Sequence, residues 1–225
     1  MKKKCILLYS GGCDSTTLLY WLKNKNYDVY TLSFLYGQKH GRIELECAKY
    51  HIKKLNINHK IIDITFMKDL IGDSSSLISD NVSIPDVKKI LGHPQPSTYV
   101  PFRNLIFLSI ALSYAESIGA KEVYYAAQRA DIYGYWDVTE EFVERVNKLS
   151  QLNRMHQIQI KTPFVNMKKS EIVKVGLELN IDYSKTWSDY NIKKDGVISA
   201  TQSERIKAMK ENGIIDELII QGGMI

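Results

Sequence analysis

The chain has 225 residues, 44% of them hydrophobic and 24% charged, with a formal net charge of +5. That length fits one ordinary domain with room for a small appended lobe, and the composition excludes disorder. The mild positive charge suits an anionic small molecule or a nucleic acid and selects neither. Met1 to Lys4 is basic, but the apolar run Cys5–Tyr9 is too short for a signal-peptide core, and no run approaches a membrane span. Cys5, Cys13 and Cys47 are odd in number and contain no C-x-x-C pair, so neither a disulfide framework nor a cysteine zinc site is supported. A reducing cytoplasm is the expected setting.

In chain order, Cys5–Tyr9, Val29–Phe34 and His59–Ile64 are short, apolar and rich in β-branched or aromatic residues, as buried parallel strands are. Leu18, Leu19 and Leu22 recur at helical spacing between the first two. Leu45, Ala48, Ile52 and Leu55 do so between the second and third. The pattern is βαβαβ, the mark of a doubly wound parallel sheet in an α/β fold. Periodicity disappears from Gly72 to Ser97, where Ser74 to Ser76, Asp80-Asn81, Pro85, Pro94 and Pro96 predict a long surface excursion. Arg103–Ile118 is apolar on nearly every face and predicts a buried helix stopped by Gly119. Glu122–Ala127 and Gln157–Lys161 read as a fourth and a fifth strand. Thr201-Gln202-Ser203-Glu204 has the spacing of a capping box, for a helix that carries Ile206 and Met209 and closes at Gly213.

The first strand enters its helix through Ser10-Gly11-Gly12-Cys13-Asp14-Ser15. In open α/β sheets ligands bind beyond the carboxyl ends of the strands, and a helix start offers free N–H groups and a positive dipole end. Glycines let the backbone approach a phosphate, and Ser10 and Ser15 add hydroxyls. Neither a Walker loop nor the G-x-G-x-x-G fingerprint occurs. Asp14 is the odd member; it serves either as a helix cap or as a ligand for Mg²⁺ bridging to phosphate.

S-G-G-x-D-S after a first strand resembles the pyrophosphate loop of the ATP pyrophosphatase (PP-loop) superfamily. The stretches "LSFLYGQKH" (32–40), "STYVPFRNLIFLSIALSYAESIGA" (97–120), "ADIYGYWD" (130–137) and "DYSKTWS" (182–188) resemble, in order, the motifs of the QueC family. That family makes the nitrile of 7-cyano-7-deazaguanine from 7-carboxy-7-deazaguanine, ammonia and ATP. The resemblance implies a PP-loop domain over residues 1–185 and a rebuilt, helical C-terminal lobe over 186–225.

It also implies roles. Ser10, Gly11, Gly12, Asp14 and Ser15 would hold ATP, with Mg²⁺ at Asp14. Asp14, Ser15, Arg103 and Lys169 would carry the chemistry. Tyr36, Gln38, Asn104, Asp131, Tyr135 and Asp137 would bind the deazaguanine. From chemistry alone, Arg103 can clamp a phosphate or carboxylate, or lie along the surface as a helix-start arginine. Lys169 can stabilise a departing pyrophosphate or be a solvated lysine beside Lys168. Gln38 can read a base edge or be an ordinary loop residue. A carboxylate among Asp131 and Asp137 can read a guanine-like N1–H and amino group, and a ring of Tyr133 or Tyr135 can stack on the base. No histidine among His40, His51, His59, His93 and His156 is assigned to catalysis.

The sequence departs from the family at its zinc site. The first of four cysteines becomes Asp189 in "TWSDYN", and the other three fall in "DGVISAT" (195–201), which has none. Structural zinc is therefore expected to be absent. A family aspartate becomes Leu35 and a cysteine becomes Val138. Retention of the loop, Arg103 and Lys169 fits an active, diverged ligase whose acceptor is ammonia or, as in antiviral paralogues, a protein amine. A non-catalytic nucleotide-binding module is the reading of a different class. Direct nucleic-acid binding and membrane association are not expected, because the lysines are dispersed and no stacking module is evident. The apolar run Leu218-Ile219-Ile220 points to a homodimer.

Overall fold

Apolar β-branched runs separated by helices settle into a single sheet. The computed structural model describes residues 2–84, 95–128, 135–191 and 199–216. In these residues the sheet is parallel, in the order β3-β2-β1-β4-β5, with β1 (Lys4–Leu8) at its centre. The others are β2 (Asp28–Leu35), β3 (Asn58–Asp63), β4 (Glu122–Tyr124) and β5 (Gln159–Lys161). Cys5 stands opposite Val29 on one side of β1, and Ile6 stands opposite Val123 on the other. Strand order reverses between β1 and β4, the switch point at which such sheets open a crevice.

Helices α1 (Cys13–Asn24), α2 (Gly41–Leu55) and α6 (Lys169–Glu178) cover one face, and α4 (Arg103–Ile118) and α5 (Glu140–Ser150) the other. The period of two along β1 fixes this arrangement. Cys5 and Leu7 pack with Leu18, Leu19, Leu22 and Ile172, whereas Ile6 packs with Leu108, Ala111 and Ala115. A short helix α3 (Met67–Ile71) follows β3. The last described helix, α7 (Ala200–Glu211), joins α1 and α6 through Cys13, Val173, Ala208 and Met209.

The predicted strands and helices are present, with instructive differences. The serine-rich stretch is not a surface excursion throughout: Ser75, Ser76, Leu77, Ile78 and Ser79 are buried. Its polar groups are satisfied locally, Ser76 N donating to Ser97 O at 2.8 Å and Lys39 N to Leu77 O at 3.0 Å, so Leu77 and Ile78 can enter the core. Helix α4 has the predicted bounds, and Gly119 takes the left-handed conformation that ends it. Only Leu108, Ala111 and Ala115 are fully buried, because the helix forms an outer layer with one face on the sheet. Strand β4 stops at Tyr124; the chain from Tyr125 to Gln128 turns into the crevice instead of continuing the ladder. The cap of α7 is Ser199, whose Oγ accepts from Gln202 N, and not Thr201, whose Oγ1 donates to Ser188 O at 2.7 Å.

The C-terminal segment is tied to the domain by Arg205, which is fully buried. Its Nε donates to Asp216 Oδ2 at 2.7 Å, one terminal nitrogen to Thr186 O at 3.0 Å and the other to Tyr183 O at 2.7 Å. Residues 195–198, Asp131, Tyr133 and Leu218 to Ile220, which carried parts of the sequence reading, lie outside the described residues.

Candidate functional site

The turn after β1 is pressed onto α2. Gly11 has φ +83°, and a Cβ there would lie 2.8 Å from Ala48 N and closer still to Glu44 O, so only glycine fits. Helix α1 then begins at Cys13 and aims its first amides into the crevice. Ser10 Oγ and Ser15 Oγ are 3.0 Å apart, Gly12 N donates to Ser10 Oγ at 3.2 Å, and Ser15 Oγ donates to Gly12 O at 3.2 Å. Backbone N–H groups, hydroxyls and a helix dipole thus converge on one point, a cradle for an anion.

Asp14 does not cap the helix; the N-cap is Gly12 and makes no side-chain cap bond. One carboxylate oxygen of Asp14 pairs with Lys169, the first residue of α6, with the two side chains 19% and 11% exposed. The other oxygen, Oδ1, is buried and has no hydrogen-bond partner. An ionised carboxylate oxygen left bare in a cleft is where a cation belongs, and Mg²⁺ characteristically takes one carboxylate together with phosphate oxygens. Asp14 therefore fits Mg²⁺ arriving with a nucleotide. Among the described residues there is no cluster of three or more acidic, histidine or cysteine side chains that could cage a metal unaided.

On the β2 side of the cleft, the guanidinium of Arg103 lies 5.5 Å from the Tyr36 ring centre and 6.0 Å from that of Phe107. It donates to the Tyr36 hydroxyl at 3.1 Å and to Asn104 Oδ1 at 3.3 Å. These partners are neutral, which leaves the cation available to an anionic ligand. Gln38 lines the cleft but braces its own loop: Oε1 accepts from Tyr36 N and Nε2 donates to Phe34 O, both at 2.9 Å. Asn104 Nδ2 reaches Asp137 O at 3.5 Å, and the Tyr135 hydroxyl bonds Thr98. Burial raises the Asp137 carboxyl, and Arg103 opposes that shift.

Four residues that sequence reasoning missed also line the cleft: His40, Glu44, Gln128 and Trp187. Burial pushes Glu44 up to about 7, against the Gln38 amide and Arg103, and it pushes His40 down to about 3. Their 3.7 Å approach is therefore not an ion pair at neutral pH, since His40 is uncharged there. Glu44 in the first turn of α2 and Gln128 just past β4 were discoverable in principle, because both follow carboxyl ends of central strands. Trp187 N donates to Gly11 O at 3.2 Å, so the C-terminal segment is bonded directly to the cradle.

The zinc implied by the resemblance does not fit. Asp189 Oδ1 accepts from Asn191 N at 2.9 Å and Ser199 N at 3.3 Å, and the Ser199 and Thr201 hydroxyls bond each other at 3.0 Å. The described donors at these positions are oxygens already committed to hydrogen bonds, whereas structural zinc takes thiolate and imidazole.

The family model described as "Queuosine biosynthesis protein QueC" matches residues 4–211. A 7-cyano-7-deazaguanine synthase of Marinomonas sp. (strain MWYL1) is 41% identical over 224 residues, covering 97% of this chain and 98% of that protein. Among solved structures, an NMN synthetase from Francisella tularensis superposes with a TM-score of 0.52 at 16% identity, covering all of this chain and 79% of the other. A 4-thiouridine synthetase in complex with RNA and bound ATP gives 0.53 at 18%, covering 98% of this chain and 52% of the other. The two structures share the fold of this chain. With a family model spanning the sheet, the cradle and all of α7, and with a full-length relative at this identity, the chain belongs to the QueC family.

Proposed function

We propose that this chain is a 7-cyano-7-deazaguanine synthase. It adenylates the carboxylate of 7-carboxy-7-deazaguanine with ATP, transfers the acyl group to ammonia, and carries the amide to the nitrile in a second ATP-dependent step. The observation that carries the reading is the Asp14–Lys169 pair at the mouth of α1, with Asp14 Oδ1 left bare. Ser10, Gly11, Gly12 and Ser15 would cradle the phosphates, and Mg²⁺, when bound at Asp14, would neutralise phosphate charge. Lys169 would meet the charge that develops on the departing pyrophosphate. Arg103 would hold an anionic group, a substrate carboxylate or a phosphate, by a forked contact. Tyr36, Gln38, Asn104, Tyr135 and Asp137 would shape the pocket for the base, with a carboxylate, Asp131 or Asp137, reading its N–H edge.

Pyrophosphate release tests the first step. It should require both ATP and the 7-carboxy compound, and should occur without ammonium. Release that ignores the 7-carboxy compound would overturn the substrate assignment, and no nucleotide turnover at all would favour a binding module.

One observation keeps a second acceptor in play. The segment that has lost the zinc residues, from Asp189 onward, supplies Tyr190 and Thr201 to the cleft wall, so the departure from the family reaches the reaction space. A protein amine in place of ammonia would stop the product at a secondary amide, which cannot dehydrate to a nitrile. We further propose a zinc-free, cytoplasmic homodimer. Phe66 and Leu70, 64% and 78% exposed beside the edge strand β3, offer an apolar surface for a second copy. Light scattering showing a monomer at micromolar concentration would refute that assembly.

A further inference from the structure

Besides Asp14 Oδ1 and His40 Nδ1, the cleft contains a further unsatisfied group, on Gln128. Gln128 follows β4 at the switch point of the sheet, is 2% exposed and lines the cleft. Its Oε1 is buried with no hydrogen-bond partner. A buried acceptor left bare is costly, so in a ligand cleft it marks where a donor arrives.

The orientation of the amide is set from behind. The Gln128 amide favours the charged form of the Glu204 carboxylate on α7, as an N–H side turned toward that carboxylate does, and Oε1 is the atom left without a partner. Glu204 also lies within electrostatic reach of Lys169 and Asp14. Helix α7 packs against the start of α1 through Cys13, Ala208 and Met209, and Gln128 lines the same cleft as Ser10 to Ser15, so Gln128 belongs to the cradle end; Arg103 and Tyr36 sit together after β2, bonded at 3.1 Å.

We propose that Gln128, held in place by Glu204, is the seat of the incoming nitrogen nucleophile. The inference rests on the function proposed above and names a subsite within it. In an acyl adenylate the carbon under attack is one oxygen away from the α-phosphorus, so the nucleophile must wait beside the phosphate cradle. Ammonia has hydrogens to donate to Gln128 Oε1 and a lone pair left over to point at that carbon. The C–N bond forms, the C–O bond to AMP breaks, AMP leaves with the electron pair, and the nitrogen releases one proton to solvent. Gln128 is the binding residue in this step and Glu204 its positioning residue.

Two variants test the proposal, Gln128→Met, which keeps the volume and removes the acceptor, and Glu204→Ala, which removes the support from a partly exposed helix position. In each, the KM for ammonium should rise by about tenfold, the equivalent of one hydrogen bond, while the KM for ATP moves less than about twofold. An unchanged ammonium KM in the folded variants would overturn the seat and leave the function reading standing. Parallel rises in both KM values would also overturn it, by reducing Gln128 to a structural support. A wild-type protein that releases no pyrophosphate with the 7-carboxy compound would defeat the function reading, and the seat with it.

Discussion

Replacing Asp14 by alanine separates what the loop does for stability from what it does for catalysis. Asp14 bears no capping bond, so the usual loss of about 1 kcal/mol for a missing N-cap does not apply. What is lost is the pair with Lys169, at 19% and 11% exposure, and the favourable placement of an anion at the start of α1. Exposed pairs contribute about 0.2–1 kcal/mol, and breaking a fully buried one costs about 3–5 kcal/mol. An intermediate site implies about 1–3 kcal/mol, and removal of the bare Oδ1 offsets part of that. At about 2–4 °C per kcal/mol for a chain of this size, the melting temperature should fall by roughly 2–10 °C, leaving a folded protein at 25 °C. ATP turnover should fall by at least about a thousandfold, because the Mg²⁺ ligand and the partner that orients Lys169 go together. Thermal melting and AMP release measured on the same preparation make the comparison. Turnover within about tenfold of wild type in a folded Asp14→Ala protein would refute the assignment of this loop to phosphate.

Three further outcomes follow from the structure. Glu44 is raised from 4.5 to about 7 by burial, so the native state binds a proton that the unfolded chain has released. Stability should therefore decline as pH rises from about 4.5 to above 7, by up to roughly 3 kcal/mol, and Glu44→Gln should flatten that decline in melts taken across this range. Arg205→Met should cost about 3–5 kcal/mol, because it breaks the fully buried ion pair with Asp216, and an unchanged melting temperature would show that the pair does not hold the C-terminal segment. Elemental analysis of untagged protein should find no stoichiometric zinc, and a strong chelator should leave its melting temperature unchanged; one zinc per chain would show that the oxygen donors around Asp189 had been misjudged.

The centre of the sheet was legible because β1 and β2 are largely buried and so read as apolar runs flanked by helical periodicity, whereas β3, expected to be buried, is an edge strand with no fully buried residue. The cradle was legible for a local reason: glycines, hydroxyls and the helix start are neighbours in sequence, and only the contact of Gly11 with α2 is long-range. What escaped depends on distant partners. Ser75 to Ser79 look like surface chain, yet hydrogen bonds to Ser97 and Lys39 let them pack inside. Ser199 and Thr201 are equivalent as caps by composition, and what separates them is Thr201's bond to Ser188 O. Apolarity on all faces of α4 gave no indication of which side would stay outside. Gln128 and Glu204 meet across 76 positions of sequence, which no local pattern encodes.

The central claim is that an intact phosphate cradle still serves nitrile synthesis although the zinc site has gone. Mass analysis of the product formed from ATP, Mg²⁺, 7-carboxy-7-deazaguanine and ¹⁵N-ammonium tests it most directly. The account predicts the labelled nitrile, with AMP formed in step. A product that stops at the labelled amide, or an activated carboxylate that never takes up the label, would contradict it.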